Sequence, residues 1–320
     1  MSIDNISETS NANDWGNYWQ GRAAHQAGAA LIGVGVETDA HIANFWKASL
    51  EGIPKNARCL DLACGAGSVL RHMKGLGFKT LSGVDISQAA IENLKQEFSN
   101  VNGVIASADN TGLGPESFDL IASQYGFEYA DAPKAGGEAA RLLANGGTFI
   151  ALAHKSSSAI ETEVSELLSD AVAILKTDFI FHAKTLFSVD IQGGSDAEFE
   201  AALGNFAPAQ DKLLAIARAK AGLAEHLYKG TQELYQKRHA YALPDVHGWL
   251  DGMMAEITAF IGRMESMKKA ALTKADVDAI YQSMREGGLV TETPSVLKVA
   301  NASGGEDEIG WILSAKKLAA

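Results

Sequence analysis

The chain has 320 residues, 47% of them hydrophobic and 21% charged, and a formal net charge of −12. That length exceeds the usual single domain, and the apolar content supports a sizeable core without disulfides or a metal. The acid excess is even, with 10 basic and 16 acidic groups through His154 and 17 and 23 beyond it, which excludes a basic arm for nucleic acid or an anionic membrane.

Residues 1–14 are polar and rich in Asn and Ser, and Asp4, Glu8 and Asp14 argue against a signal peptide. Trp15, Tyr18 and Trp19 follow at helical spacing. They either staple a helix to the core or form a flap over a ligand, and the polar surroundings favour the flap. The apolar stretch Ala27 to Val36 is too short and glycine-broken to span a bilayer, so the expected compartment is the cytoplasm. A helix is predicted over His41–Leu50, with Ile42, Phe45, Trp46 and Leu50 on one face.

From Arg58 short apolar runs alternate with helices. Strands are predicted at Arg58–Leu62, Thr80–Val84, Val101–Ile105, Phe118–Ser123 and Gly147–Ala153, with helices at Ser68–Lys74, Ser87–Phe98 and Pro133–Leu143. Such alternation implies an α/β, Rossmann-like parallel sheet whose strand C-termini line the ligand edge. After His154 the pattern turns helical: Ala159–Leu175, Asp196–Leu203, Pro208–Tyr235, Asp245–Met267 and Lys274–Glu286. Two strands, Ser295–Val299 and Ile309–Ser314, close the chain as a hairpin. Four regions result: an N-terminal segment 1–57, a strand–helix core 58–154, a helical insertion 155–290 and a closing hairpin 291–320.

The strongest chemical signal is Leu60-Asp61-Leu62-Ala63-Cys64-Gly65-Ala66-Gly67-Ser68, a strand that turns through two glycines into a helix. Glycines let a backbone approach a ligand, and the helix start offers free N–H groups. A dinucleotide fingerprint would need a third glycine where Leu70 stands. Asp61 would repel a diphosphate but attract an ammonium. The second signal is Asp85, 18 residues past Gly67 at the end of strand two, where a carboxylate can accept both hydroxyls of a ribose. The third is Ser107-Ala108-Asp109-Asn110 after strand three, where a polar side chain can meet an adenine edge.

In this order and spacing the residues resemble the class I S-adenosylmethionine-dependent methyltransferase family, from about Cys59 to Leu152 and again at the closing hairpin. Phe118-Asp119-Leu120-Ile121 is similar to its fourth strand, and Arg141-Leu142-Leu143-Ala144-Asn145-Gly146-Gly147-Thr148-Phe149 to the turn before its fifth. The resemblance implies a seven-stranded, mostly parallel sheet with an antiparallel C-terminal strand, so that the large helical insertion read above falls between strands five and six. It implies S-adenosyl-L-methionine as cofactor, held by Asp61, Ala63, Cys64, Gly65, Gly67, Asp85, Ile86, Asp109, Asn110, Gln124 and Tyr18. Ala63 departs from the family, which often has glycine there. The segment Ser123-Gln124-Tyr125-Gly126-Phe127-Glu128-Tyr129 lacks the motifs of the DNA amino-group and cytosine methylases, in keeping with the acidic charge.

His154, the first polar group beyond the apolar fifth strand, is a candidate proton acceptor, with Glu128 and Tyr125 beside strand four as further catalytic candidates. Each has a structural alternative, such as a satisfied core histidine or a solvated loop at Lys155 to Ser158. His182 reads as core-lining. Trp249, Leu250, Met253, Met254, Ile257, Phe260, Ile261, Met264 and Met267 form an apolar helical stripe suited to core packing, to a homodimer through the insertion, or to a wall for an apolar substrate. The expected function is methyl transfer to a small or medium-sized acceptor, with the insertion above the cofactor choosing it. No metal, nucleic acid or membrane partner is expected. The rivals are other S-adenosylmethionine chemistry and a non-catalytic regulatory or interaction protein, the latter opposed by the intact cofactor motif.

Overall fold

The computed structural model describes residues 36–301 and 303–319, so Trp15, Tyr18 and Trp19 lie outside the described residues. The first half reads α1 (Val36–Ser49), β1 (Arg58–Leu62), α2 (Ser68–Gly75), β2 (Thr80–Asp85), α3 (Gln88–Glu97), β3 (Asn102–Ile105), β4 (Phe118–Gln124), α4 (Ala132–Leu142) and β5 (Leu143–Ala153). Helices follow as α5 (Ala159–Leu175), α6 (Phe179–Gln192), α7 (Asp196–Ala219), α8 (Leu223–Gln236), α9 (Leu243–Ala270) and α10 (Lys274–Glu286). The chain closes with β6 (Leu289–Thr291), β7 (Ser295–Ala300) and β8 (Glu306–Lys317).

The sheet runs β3-β2-β1-β4-β5-β8-β6, with β7 also on β8. Strands β1 to β5 pair in parallel, and β8 is antiparallel to β5. Strands β6 and β7 pair with successive stretches of β8, Ala315–Lys317 and Glu306–Ile312, so eight segments occupy seven positions across the sheet. This is the Rossmann-like order, with the strand reversal between β1 and β4 that opens a crevice at the C-terminal edge.

Local sequence explains the elements. Leu60, Leu62, Ile121 and Phe149 have no exposure, as strands covered on both faces require. Ser87 Oγ accepts from Ala90 N to start α3, and Asp131 accepts from Lys134 N to start α4, which has Pro133 in its first turn. One face of the sheet packs against α4 and α10 through Ala135, Ala139, Val277, Ile280 and Met284. Gly83, on the opposite face from Val84, leaves room for Leu94 of α3.

The described residues form two compact units: 36–164 with 266–319, and 165–265. The second has its own core, in which Phe179, Phe187, Leu213, Leu227, Leu250 and Ile257 are buried. Met253, Met264 and Met267 are buried too, so most of the methionine stripe is core; Met254 alone of the four is exposed. α10, placed in the insertion by its sequence position, packs in the first unit.

Three sequence expectations are corrected. A break was expected between Leu203 and Pro208, but α7 runs on through Pro208, and the helical run divides instead at Lys220 to Gly222. α6 was not expected, because its adjacent apolar residues show no clear helical stripe. His182 on α6 is half-buried against the exposed Phe181, not lining a core. No helix among the described residues is long and apolar enough to cross a membrane.

Candidate active site

The turn after β1 is shaped by its backbone. Ala63, Gly65 and Gly67 all have positive φ, at 58°, 50° and 85°. A side chain on Gly67 would stand 2.6 Å from a methyl of Leu94, so both conformation and space call for glycine there. Ala63 carries the same handedness at the cost of its Cβ, which is why the departure from glycine still builds the turn. The Cys64 N–H donates to Val84 O at 2.9 Å, tying the turn to β2. Cys64 itself is buried with its thiol beside Gly83, and burial, reinforced by Asp61 and Asp85, pushes that thiol well above its usual pKa. It is an inert packing residue.

Two carboxylates flank this turn in different states. Asp85 Oδ2 accepts from Gly65 N and Oδ1 from Ser87 N, both at 2.8 Å. Burial raises its pKa and these two N–H donors hold it down. Each oxygen keeps a lone pair for another donor. Beside it Ile86 is 53% exposed, an apolar surface next to an acid. Asp61, at 1% exposure, has no hydrogen-bond partner on either oxygen. Burial, then the Asp85 charge, drives its pKa well above the carboxylate range; the nearby Leu70 N–H, which is not placed to complete a hydrogen bond, and Arg71 act in the opposite direction. A buried carboxylate without a partner is costly unless a ligand supplies one. An ammonium would satisfy it, and a diphosphate would not.

After β3, Asn110 N donates to Ser107 O at 3.2 Å, closing a turn in which Asp109 is half-buried and Asn110 exposed. At the end of β4, Gln124 Oε1 accepts from the buried Trp46 Nε1 at 2.6 Å, so α1 is fixed to the ligand edge. Tyr18 lies outside the described residues.

The catalytic candidates are brought together. Tyr125 has φ 49° and its hydroxyl donates to Ile309 O at 3.0 Å. Glu128, in a single 3-10 turn, is 4% exposed, and its Oε1 accepts from His154 N at 2.9 Å and lies 2.7 Å from Nδ1. The His154 ring packs against Tyr125 at a tilt of 43°, centroids 4.6 Å apart, with Tyr129 edge-on at 5.6 Å. Burial and the Glu128 charge push both tyrosine hydroxyls far above their usual pKa, so neither serves as a base. The segment after His154 is no solvated loop: Lys155 pairs with Glu308 at 3.0 Å, and buried Ser158 Oγ accepts from Glu161 N.

The two clusters are neighbours. A side chain on Gly126 would reach 2.7 Å from Ala63 O, so the turn after β4 rests directly on the turn after β1. Sequence reasoning missed this contact, the Trp46–Gln124 bond and Glu138, which binds the loop after β3. Only Glu138 had a signal, its i,i+3 spacing from Arg141.

Known proteins resemble the strand–helix core that carries these residues. The family described as a methyltransferase domain matches residues 60–151. The ubiquinone/menaquinone biosynthesis C-methyltransferase UbiE of Campylobacter jejuni is 29% identical over 107 residues, covering 31% of this chain and 46% of that protein. The match thus spans about half the length of the curated relatives. Among solved structures, an S-adenosylmethionine-dependent methyltransferase from Mesorhizobium loti is similar at 23% identity and a TM-score of 0.33, over 35% of this chain and 52% of that one. A complex of the Trm112 methyltransferase activator with a methyltransferase from Haloferax volcanii gives 12% identity and a TM-score of 0.47, over 97% and 98%. Residues 60–151, which hold the β1 turn, Asp85, Asp109 and Gln124, are thus similar to a methyltransferase domain.

Proposed function

We propose that the protein is an S-adenosylmethionine-dependent methyltransferase that acts on a small or medium-sized acceptor bearing an ionisable hydroxyl or amine. The observation that carries the cofactor half is Asp61, a buried carboxylate with two unpartnered oxygens below a left-handed glycine turn. It suits the methionine ammonium, directly or through a water. Asp85 takes the ribose hydroxyls on its remaining lone pairs, Ile86 covers the adenine, and Asp109 and Asn110 meet the adenine edge. The cofactor supplies a sulfonium that already carries its leaving group, so the protein's task is alignment in a dry site.

The acceptor half rests on Glu128 and His154. Glu128 Oε1 lies 2.7 Å from His154 Nδ1; in this reading Nδ1–H donates to the carboxylate, which selects that tautomer and leaves Nε2 to take a proton from the acceptor. Glu128 then stabilises the imidazolium. Choice of acceptor is assigned to residues 165–265, because every cofactor residue lies outside them. The curated relatives' name points to C-methylation, but the likeness covers the cofactor half alone and leaves the acceptor atom open.

Calorimetry is expected to show binding of S-adenosylhomocysteine and none of NAD. With a methyl-labelled cofactor and a panel of phenols, quinols and amines, His154→Asn is expected to lower turnover by roughly 10²–10⁴-fold with cofactor affinity intact. Glu128→Gln should cost less, since the amide still accepts from His154 N. Near-normal turnover in a folded His154→Asn protein would remove the histidine from the chemistry. Tight NAD binding would overturn the whole reading.

A further inference from the structure

The loop after β3 is held at both of its ends, and the two anchors differ in kind. Upstream, Ala106 N donates to Asp85 O at 3.0 Å, a main-chain bond independent of side chains. Downstream, Glu116 N donates to Arg141 O at 3.0 Å, and the stretch next to the turn is held by side chains. Glu138 Oε1 accepts from Thr111 N at 3.0 Å and from Thr111 Oγ1 at 2.5 Å, while Leu113 N donates to Thr111 Oγ1. Arg141, one turn along α4, donates to both Glu138 oxygens and to Leu113 O, each at 2.7 Å. The Glu138 side chain is only 9% exposed, yet Arg141 and the Thr111 donors outweigh burial and lower its pKa, so it is ionised.

We infer that Glu138, braced by Arg141, is the positioning residue for adenine recognition: it sets the Ser107–Asn110 turn so that Asp109 and Asn110 face the base. This rests on the proposed adenine contact of that turn. Thr111 is 4% exposed, so removing Glu138 leaves a buried N–H without a partner and the hydroxyl without an acceptor for its proton. The loop must then move to regain them, and Asp109, two residues upstream, moves with it. Asp85 and the β1 turn keep their own anchors.

The test compares binding of S-adenosylhomocysteine and S-inosylhomocysteine, which differ at the exocyclic group of the base, to the full chain by calorimetry. The unaltered protein is expected to prefer the adenine ligand by roughly tenfold or more. Glu138→Ala should weaken the adenine ligand by about tenfold and the inosine ligand by no more than about threefold, so that the preference collapses. Glu138→Gln, which keeps an oxygen for Thr111, should retain most of it. A Glu138→Ala protein that melts lower but keeps the preference overturns the inference. Asp109→Ala separates the two levels. Preference lost in Asp109→Ala but kept in Glu138→Ala sinks the clamp alone; preference kept in both sinks the adenine contact and the clamp with it. If Glu138→Ala fails to fold, Thr111→Val carries the same comparison, with a several-fold loss of preference expected and an unchanged preference overturning the inference.

Discussion

At the scale of single residues, Asp61 sets function against stability. Its pKa in the folded, ligand-free chain lies well above the ordinary carboxylate value, so the folded state holds a proton that the unfolded state releases. The contribution of this group is therefore full below the unfolded pKa, about 3.9, and is lost as pH rises through the folded value. Each pH unit in that window costs about 1.4 kcal/mol. Asp61→Asn removes the dependence. Without ligand at pH 8, its melting temperature should exceed that of the unaltered protein by a few degrees. Its affinity for S-adenosylhomocysteine should fall by roughly tenfold or more, as expected for loss of a charged hydrogen-bond acceptor. Melting curves from pH 5 to pH 8 check this, and a less stable Asp61→Asn at pH 8 would mean that the carboxylate is paired. The residue was legible in the sequence from its place before the glycines. That both its oxygens are orphaned was not, because burial depends on strands brought together from elsewhere in the chain.

At the scale of elements, β8 links the sheet to the Tyr125, Glu128 and His154 cluster. It extends past the end of β5, where Ala153 faces Trp311, and residues beyond that point receive the Tyr125 hydroxyl and the Lys155 ammonium. Gly310 makes this possible: a side chain there would meet Ala153 O at 2.9 Å, Leu152 Cδ1 at 3.0 Å and the Tyr125 ring at 3.1 Å. Gly310→Val should cost about 1–3 kcal/mol by overpacking and, by displacing Tyr125 from His154, should lower turnover. Gly252, in the middle of α9 with open space around it, is the control. Gly252→Ala should stabilise by roughly 0.5–1 kcal/mol through helix propensity alone, with turnover unchanged. Thermal melts with activity assays read both, and a neutral Gly310→Val would mean that the strand ends are not tightly packed. The strands and the hairpin were legible because apolar runs between turn residues leave little choice of structure. α6 was not, since Phe179-Ile180-Phe181 buries two residues and exposes the third, a pattern that no single stripe describes. Pro208 was read as a break, but a helix already set by the Ser195–Glu198 capping box and by buried Ala202, Ala209 and Leu213 tolerates one missing N–H.

For the whole molecule, the two units have separate cores that share no buried residue. The insertion's first and last stretches are clasped within the first unit: Leu272 N donates to His154 O at 2.9 Å, Ser156 N to Leu272 O at 3.0 Å, and Trp311 Nε1 to Leu272 O at 2.9 Å. Changes inside the 165–265 core should therefore not propagate to Asp61, Gly65 or Asp85. Leu250 tests this, being fully buried in the second core. Leu250→Ala leaves a cavity and should destabilise that unit by about 2–5 kcal/mol. Cofactor affinity should stay within a few-fold. S-adenosylhomocysteine at a hundred times its Kd should still stabilise the cofactor-binding unit by about 2.7 kcal/mol, in the variant as in the unaltered chain. Methyl transfer should suffer if the insertion selects the acceptor, because a loosened helical core holds its surface less firmly. Calorimetric melts with and without ligand separate these effects. If S-adenosylhomocysteine binding collapses in a Leu250→Ala protein that remains folded at the assay temperature, the cofactor site depends on the insertion and the assigned division of labour is wrong.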